Sequence, residues 1–243
     1  MSIVDSQVLS GVTMTRVTII VPILNEAARL PTLAAELNAL QPKPERVIVV
    51  DGGSQDGSVV LARALGFEVV QSARGRATQM NAGAEHAEKN HPAQTDWLLF
   101  LHADTRLAPD AIAQLHALHA DVQWGRFDVR LDAAQPIYRV IEHMINLRSR
   151  LSKIATGDQV IFIRPALFRQ IGGYREQPLM EDVELCKQLK SLHLPPVCLR
   201  STVITSARRW QQYGVWRTIG LMWQLRFLYW CGVSSERLAS KYR

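Results

Sequence analysis

Two short apolar runs that each end at an aspartate constrain the fold of this chain most. The run Val47–Val50 leads into Asp51 and a glycine pair, and the run Trp97–Leu101 leads into His102 and Asp104. Short apolar runs bounded by glycine and aspartate are typical of buried parallel strands. In an open α/β sheet, ligands bind beyond the carboxyl ends of the strands. The sequence therefore predicts a ligand site of the nucleotide-binding kind around Asp51 and Asp104.

Strand and helix patterns alternate along the first half of the chain, which predicts a parallel, doubly wound sheet. In the second half, apolar positions of 124–131 alternate with the charged Arg126, Asp128 and Arg130, which predicts a strand with one solvated face. We therefore expect one mixed α/β sheet domain. The predicted strands are 16–22, 46–50, 67–70, 96–101, 124–131 and 159–163, and the later helices are 136–153 and 181–192.

The chain divides into three predicted segments. Residues 1–16 lack the basic start and long apolar run of a signal peptide, so we expect a disordered leader. Residues 17–200 are expected to form the sheet domain, with a nucleotide-binding half at 17–115 and a second half at 116–200. Residues 201–243 form a basic, aromatic segment that we expect to be a C-terminal helical appendage.

The formal charge of +6 is concentrated at the C-terminus. Residues 200–243 hold eight basic residues against the single acid Glu236. No nucleic-acid-binding motif accompanies this charge, which argues against a nucleic-acid partner. Three widely spaced cysteines argue against a disulfide framework or a cysteine-rich zinc site, and they favour a cytoplasmic location.

Aromatic side chains alternate with cations in the C-terminal segment, most densely over residues 208–233. Trp216, Trp223 and Phe227 lie at helical spacing, which fits a helix packed on the sheet, a homodimer contact, or contact with the inner face of the cell membrane. Packing or dimerisation is favoured, because core helices are commoner than interfacial ones. The most apolar stretch, 219–233, has only 15 residues and includes Arg226, so it is too short and too polar to span a bilayer.

Four motifs, taken in order, resemble family-2 glycosyltransferases of the GT-A fold. They are Val21–Glu26, Val49–Gly57, Leu101–Asp104 and Met180–Glu184, and the resemblance covers about residues 17 to 192. It implies an inverting enzyme that transfers a sugar from a UDP- or GDP-linked donor to an acceptor nucleophile. It also implies that residues 116–200 form the acceptor half.

The resemblance assigns one group of residues to the nucleotide-sugar donor. Carboxylates and amides of the first two strand ends accept hydrogen bonds from base and ribose, and arginines at a helix start suit the pyrophosphate. Simple helix capping is the alternative for Asn25 and Glu26, and a solvated basic loop is the alternative for Arg74 and Arg76. The implied donor-binding residues are Pro22, Asn25, Glu26, Asp51, Gly53, Arg74, Arg76, Asn81, Asp104, Arg208, Arg209 and Trp210.

The resemblance also implies a divalent cation, Mg²⁺ or Mn²⁺. Asp104 matches the last carboxylate of the family's Asp-x-Asp metal motif, and His102 stands in place of the first. Asp104 and His102 are therefore the implied metal ligands. A hydrogen-bonded histidine at a strand end is the alternative for His102.

The acidic pair Glu181 and Asp182 matches the carboxylates that such enzymes place beside the acceptor. Asp182 is the implied general base, with Glu181 as its partner or as an anchor for the acceptor. The alternative is that both stabilise the N-terminus of the helix 181–192. Asp158 and Gln159 resemble an acceptor-side segment of the same family.

A nucleotide site at the strand ends also occurs in three other kinds of protein, and the rest of the sequence distinguishes among them. A dehydrogenase is excluded, because no Gly-x-Gly-x-x-Gly turn follows the first strand. A nucleotidyltransferase shares the sheet, but the pair Glu181–Asp182 favours sugar transfer. A non-catalytic nucleotide-sugar scaffold or sensor, with the metal motif weakened at His102, stays open.

Overall fold

The computed structural model describes residues 15–90 and 95–242. Its centre is an eight-stranded mixed sheet with the order β3-β2-β1-β4-β7-β6-β8-β5. The strands are β1 Val17–Ile23, β2 Arg46–Asp51, β3 Glu68–Gln71, β4 Trp97–Phe100, β5 Thr105–Arg106, β6 Trp124–Leu131, β7 Ile161–Ile163 and β8 Val197–Thr205.

Helices cover both faces of this sheet and form the C-terminal part of the chain. They are α1 Leu30–Asn38, α2 Ser58–Ala64, α3 Arg76–Asn90, α4 Ala111–His116, α5 Pro136–Ser152, α6 Pro165–Gln170, α7 Glu181–Ser191, α8 Arg208–Tyr213, α9 Val215–Trp230 and α10 Ser235–Tyr242, with a 3₁₀ turn at Gly157–Gln159.

The first half of the sheet is parallel, as the alternating patterns predict. β1 pairs in parallel with β2 and β4, and β2 pairs in parallel with β3. Ile19 packs with α1 on one face, whereas Ile20 packs with α3 on the other, so the strand is buried on both faces. Ile23 and Asp51 are register partners at the carboxyl ends of their strands, which places the loops after β1 and β2 side by side.

The second half of the sheet is mixed and differs in detail from expectation. β7 runs antiparallel to β4 and β6, whereas β8 runs parallel to β6. The strand predicted at 159–163 begins only at Ile161, because 157–159 form the 3₁₀ turn. The sequence patterns did not indicate β5, α6 or β8. The predicted domain boundary after residue 200 falls inside β8, whose pairing with β6 extends to Thr205.

The expected solvated face of β6 is wrong at Arg126. Its side chain is fully buried under α5, and it forms an ion pair with Asp128. It also donates a hydrogen bond to the carbonyl of Asn146 at 3.2 Å. A charge at an alternating position therefore indicates which face it lies on but not whether a helix covers that face. Arg130 is exposed, as expected.

The C-terminal helices pack against the loop that precedes α7. Leu225 of α9 and Leu238 of α10 are buried in one cluster with Leu179 and Met180. No helix in the described ranges is long and apolar enough to cross a bilayer. At the other end, residues 1–14 of the predicted leader lie outside the described residues. Arg16 belongs to the sheet domain, because its backbone N–H donates to the Asp96 carboxylate at 2.7 Å.

Candidate active site

Asp51 shapes the loop that follows β2. Its carboxylate is buried and accepts hydrogen bonds from the backbone N–H of Gly53 at 3.0 Å and of Ser54 at 3.1 Å. Gly53 has a φ of +96°, a left-handed conformation that glycine adopts without steric cost. The Asp51 carboxylate therefore holds this loop at the ligand-binding edge of the sheet, beside Pro22 near the end of β1.

Gln79 joins the ends of β1 and β2 and was missed by sequence reasoning. Its amide is buried and donates to the carbonyls of Ile23 at 2.7 Å and Val50 at 2.8 Å. A Cβ atom on Gly52 would lie 3.0 Å from the same amide, so the small residue leaves room for it. Glutamine in a helix is commonly a surface residue, and no motif marked this one.

Asn25 ties the loop after β1 to the loop after β2. Its backbone N–H donates to the Ser54 hydroxyl at 2.8 Å, and its side-chain oxygen accepts from the N–H of Gln55 at 2.9 Å. The helix-capping alternative for Asn25 is wrong, because α1 begins only at Leu30 and Arg29 is its N-cap. The Asn25 side chain therefore holds the loop after β2 and does not cap α1.

Two further hydrogen bonds join the same loops. The Asp56 carboxylate accepts from the N–H of Ala27 at 3.0 Å, and the Ser58 hydroxyl accepts from the N–H of Glu26 at 2.9 Å. The backbone of Glu26 is thus fixed on both sides, because its N–H donates to α2 while its carbonyl accepts from the N–H of Leu30 at the start of α1. This pairing leaves the Glu26 carboxylate available to face the neighbouring strand end.

Glu26, Asp104 and Arg208 come together although they lie far apart in the sequence. Burial raises the pKa of Glu26, the negative charge of Asp104 raises it further, and the positive charge of Arg208 opposes both. Asp104 is exposed at the site. Two carboxylates opposite one guanidinium suit a divalent cation together with a diphosphate. No cluster of three or more His, Cys, Asp or Glu that could hold a metal forms within 15–90 and 95–242.

His102 is turned toward Asp158. Its Nδ1 lies 3.6 Å from a carboxylate oxygen of Asp158. The ring also lies against Gly157, where a Cβ atom would be 2.5 Å from the His102 Cε1. This contact explains why a glycine stands at the start of the 3₁₀ turn, and it gives His102 a local structural contact at the strand end.

Asp158 is an anionic group on the open side of the same turn. Its side chain is 61% exposed, although the walls of the cleft surround it. This enclosure raises the pKa of Asp158, but the nearby His102 and the positive charges of Arg76 and Arg226 outweigh it. The net pKa therefore lies below its usual range, and Asp158 is ionised at neutral pH.

Asp182 connects α7 to the 3₁₀ turn. One carboxylate oxygen accepts from the Gly157 N–H at 2.8 Å, and the other accepts from the Val183 N–H at 2.7 Å. The second bond satisfies a free N–H in the first turn of α7, so Asp182 also serves the helix terminus, as the alternative expected. Glu181 is 6% exposed, and burial followed by the charge of Asp182 raises its pKa.

Three arginines surround these acids, and two of them were not predicted. The charges of Glu181, Asp158 and Asp182 raise the pKa of Arg76 against the effect of its enclosure in the cleft. Arg148 of α5 and Arg226 of α9 were missed because each lies within a helix that no motif connects to the site. Their positions in the helices gave no signal of which face they occupy.

Arg148 and Arg226 lie close to each other and to Asp182. Burial, then the charge of Arg226, lowers the pKa of Arg148 to about 10, whereas Asp182 opposes the shift. Burial also lowers the pKa of Arg226, and the charges of Asp182 and Asp158 oppose it. The Nη2 atom of Arg148 is buried without a hydrogen-bond partner in the described part of the chain.

Two predicted site residues have framework contacts instead of free side chains. The Asn81 amide donates to the carbonyl of Tyr174 at 2.8 Å and accepts from its N–H at 2.9 Å. Gln159 is fully buried, where it forms a capping box with Thr156. We leave both out of the proposed ligand set. Arg74, in contrast, is exposed before α3.

The predicted donor-binding residues Arg208, Arg209 and Trp210 are adjacent in the sequence but lie in different surroundings. Arg208 faces Glu26, whereas Arg209 donates to the carbonyl of Tyr242 at 2.8 Å and stacks on its ring. Trp210 packs in the small cluster that contains Tyr138. Arg209 and Trp210 therefore anchor the C-terminal helices, and of the three only Arg208 is placed to meet a donor.

A mixed α/β sheet with acidic loops at the strand ends and an acidic helix start is the arrangement of a GT-A glycosyltransferase fold. The family "Glycosyl transferase family 2" matches residues 18–174. The chain belongs to this family, which confirms the resemblance and the fold class. No curated protein sequence matches the chain at a significant level.

Solved structures show the same fold. A mannosyltransferase from Pyrobaculum calidifontis, in complex with GDP-Man and Mn²⁺, matches 82% of this chain with a TM-score of 0.60 and 20% identity. S. aureus TarS (1–349) matches 79% with a TM-score of 0.56 and 14% identity. A mycobacterial protein matches 79% with a TM-score of 0.50 and 15% identity. The chain spans 59%, 61% and 65% of these three chains, respectively.

Proposed function

We propose that this protein is an inverting, metal-assisted glycosyltransferase that moves a sugar from a UDP- or GDP-linked donor to a hydroxyl or other nucleophile of an acceptor. The observation that carries the proposal is the position of Asp182. Its carboxylate is fixed by the N–H of Gly157, and Gly157 lies against His102, two residues before the Asp104 whose charge acts on Glu26. Family membership and a structural neighbour that binds GDP-Man support it.

The donor occupies the edge formed by the loops after β1 and β2 in this proposal. The hydrogen bonds of Asn25 and Asp51 hold these loops in place before any ligand arrives, which lowers the entropy cost of binding. The base and ribose lie against these loops. The exposed Arg208 and Arg74 are the cations available to the diphosphate.

Asp104 fits a divalent cation, with Glu26 as the neighbouring carboxylate. Both are hard oxygen donors, the ligand type that Mg²⁺ and Mn²⁺ prefer. When bound, the cation neutralises negative charge on the departing nucleoside diphosphate. Because the described residues form no three-ligand cluster, oxygens of the diphosphate must complete the coordination. We therefore expect metal binding to depend on nucleotide.

Asp182 takes the proton of the attacking hydroxyl in the proposed reaction. The acceptor oxygen forms a bond to the anomeric carbon from the face opposite the diphosphate, and the bond to the diphosphate breaks. Glu181, whose pKa is raised, lies next to this base, and Arg76 balances the local negative charge. The pair formed by His102 and Asp158 lies against Gly157, so it fixes the turn that positions Asp182.

The first test is a calorimetric and thermal-shift panel of UDP, GDP and their sugar conjugates, each with and without Mn²⁺ or Mg²⁺. We expect stabilisation by one nucleoside diphosphate, stronger with metal, and slow release of that diphosphate from its sugar conjugate. The Asp104→Asn variant should lose the effect of metal, whereas the exposed Asp121→Asn variant should retain it. Binding without any release under the conditions tested would favour the scaffold or sensor instead.

The cytoplasmic location and the homodimer stay predictions. The described residues contain the free cysteines Cys186, Cys198 and Cys231, which agrees with a reducing compartment. Analytical ultracentrifugation of the purified chain would test the homodimer directly, and its outcome also bears on the surface described next.

A further inference from the structure

Helix α9 exposes a stripe of large aromatic side chains. Trp216, Trp223, Phe227 and Trp230 are between 62% and 78% exposed. At 3.6 residues per turn they fall within an arc of about 60°. The opposite side of the helix carries the buried Leu225, which packs on the loop before α7. The packing interpretation of this helix therefore accounts for one face and leaves the aromatic face without a partner in the described chain.

Helix α5 exposes a second apolar stripe. Val140, Met144, Leu147 and Leu151 are between 39% and 76% exposed. They also fall within an arc of about 60°, opposite the buried Ser149. Large apolar side chains exposed in a continuous row on a soluble surface mark an interaction site.

Helices α5 and α9 approach each other at two points. Near their starts, Ile141 of α5 and Val215 of α9 belong to one cluster. Further along, the charges of Arg148 and Arg226 act on each other. Each arginine lies about 70° from the centre of its own stripe, on the side that faces the other helix. These relations favour an arrangement in which both stripes open onto one surface, which we call the paired apolar face.

The paired apolar face lies beside the candidate active site. Arg148 and Arg226, which lie between the two stripes, also interact with Asp182. The face is bordered by exposed cations: Arg217 on α9 and Lys153 just after α5. Helices α8 to α10 carry six basic residues against Glu236, and α5 carries three arginines against Glu142.

We propose that the paired apolar face docks on the surface of an anionic lipid bilayer and lies in its headgroup region without crossing it. Tryptophan and basic side chains together suit this region, because the rings enter the boundary and the cations meet lipid phosphates. A second copy of the chain is a poorer occupant, because pairing two such faces would bring together the like charges at their borders, which include the exposed Arg217 and Lys153. The proposal does not depend on the proposed activity.

The experiment is co-sedimentation of the full chain with vesicles of phosphatidylcholine alone and with equimolar phosphatidylglycerol. We expect binding only to the anionic vesicles, weakened by salt. The triple variant Trp223→Ser, Phe227→Ser, Trp230→Ser should bind at least about tenfold more weakly. The matched control, Val60→Ser with Leu192→Ser, removes exposed apolar side chains elsewhere and should bind as the parent does. Circular dichroism and thermal unfolding would verify that each variant is folded.

Three results would overturn the proposal. One is that the parent chain binds neither vesicle, and another is that the folded triple variant still binds anionic vesicles fully. The third is that the parent forms a dimer that the triple variant abolishes, which would assign the face to a second copy. Equal binding to neutral vesicles would contradict the part of the proposal that depends on charge.

Discussion

The proposed nucleotide-binding half (17–115) and the proposed acceptor half (116–200) reach their geometry in different ways. In the first, Asn25 accepts a hydrogen bond that joins the loops after β1 and β2, Gln79 donates to the ends of both strands, and Asp51 accepts hydrogen bonds within the loop after β2. In the second, Asp182 is surrounded by groups from the 3₁₀ turn, α5 and α9, which meet through burial and charge. The geometry of a site at the ends of adjacent strands follows from short sequence patterns. The geometry of the acceptor half depends instead on how helices that are distant in the sequence pack together.

This difference predicts that the two halves can be damaged separately. Changes in the first half should alter donor affinity and stability, whereas changes in the second should alter turnover with donor binding retained. Turnover is measured here as the release of nucleoside diphosphate from the donor that the panel identifies, with water as the acceptor.

The largest expected effect follows from Asp182→Asn. An amide cannot take the proton of the nucleophile, so turnover should fall by about 100- to 10,000-fold. The dissociation constant of the donor, measured by calorimetry, should change little, because Asp182 belongs to the acceptor half. The exposed Glu176→Gln variant, from the loop before α7, is the matched control. Full turnover in Asp182→Asn would show that another group is the base.

The next effect follows from Gln79→Ala in the nucleotide-binding half. The change removes both hydrogen bonds to the ends of β1 and β2 and leaves two buried carbonyls without them. Urea denaturation should show a loss of about 2–4 kcal/mol in the free energy of unfolding. Donor affinity should fall as well, in contrast with Asp182→Asn. The exposed Gln211→Ala variant should have the stability and the donor affinity of the parent. An unchanged donor affinity in Gln79→Ala would contradict the claim that changes in this half alter donor binding.

A smaller effect is expected from Arg226→Gln, which tests whether α9 belongs to the acceptor half. The change removes a positive charge that acts on Asp158 and Asp182. We expect turnover to fall about tenfold, as for the loss of one charge-assisted contact, with donor affinity unchanged. Arg237→Gln on α10 is the control. A loss of donor affinity with normal turnover would move α9 to the donor side.

The smallest effect concerns the stability of Glu181→Gln. The folded protein raises the pKa of Glu181 above its ordinary value of 4.5, mainly through burial. At a pH between the pKa of the unfolded state and the higher pKa of the folded state, the folded protein holds a proton that the unfolded chain has lost. The free energy of unfolding therefore falls as pH rises through this window. The Gln variant lacks this loss and should have a higher thermal midpoint at pH 7 than the parent, but not at pH 4. An equal or lower midpoint at pH 7 would contradict the assignment.

Much of the nucleotide-binding half could be predicted from the sequence because its signals are local. The runs before Asp51 and Asp104 were correctly interpreted as strand ends, since parallel strands buried on both faces are continuously apolar. Asn25 was assigned to the site, but its capping alternative failed because α1 begins after the loop. Gln79 gave no signal, because its partners are backbone carbonyls more than 25 residues away.

The acceptor half was predicted only where a motif marks it. Glu181 and Asp182 stand at a helix start, as the sequence predicted, and Asp158 lies in the 3₁₀ turn whose Gly157 N–H Asp182 binds. Arg148 and Arg226 escaped prediction because a helical period identifies a buried face without naming its neighbour. The burial of Arg126 had the same cause, since the alternation along β6 does not show that α5 covers it.

The sequence by itself determined the order of β1 to β4 and the helices between them, the edge of the sheet where carboxylates gather, and the family. These properties follow from periodicity and short motifs, which act over a few residues. Only the tertiary structure decided that His102 turns to Asp158, that Asn81 and Gln159 support the framework, and that α5 and α9 border the site with exposed apolar stripes. Such contacts join residues far apart in the chain, and their energies depend on packing and burial that no local pattern records.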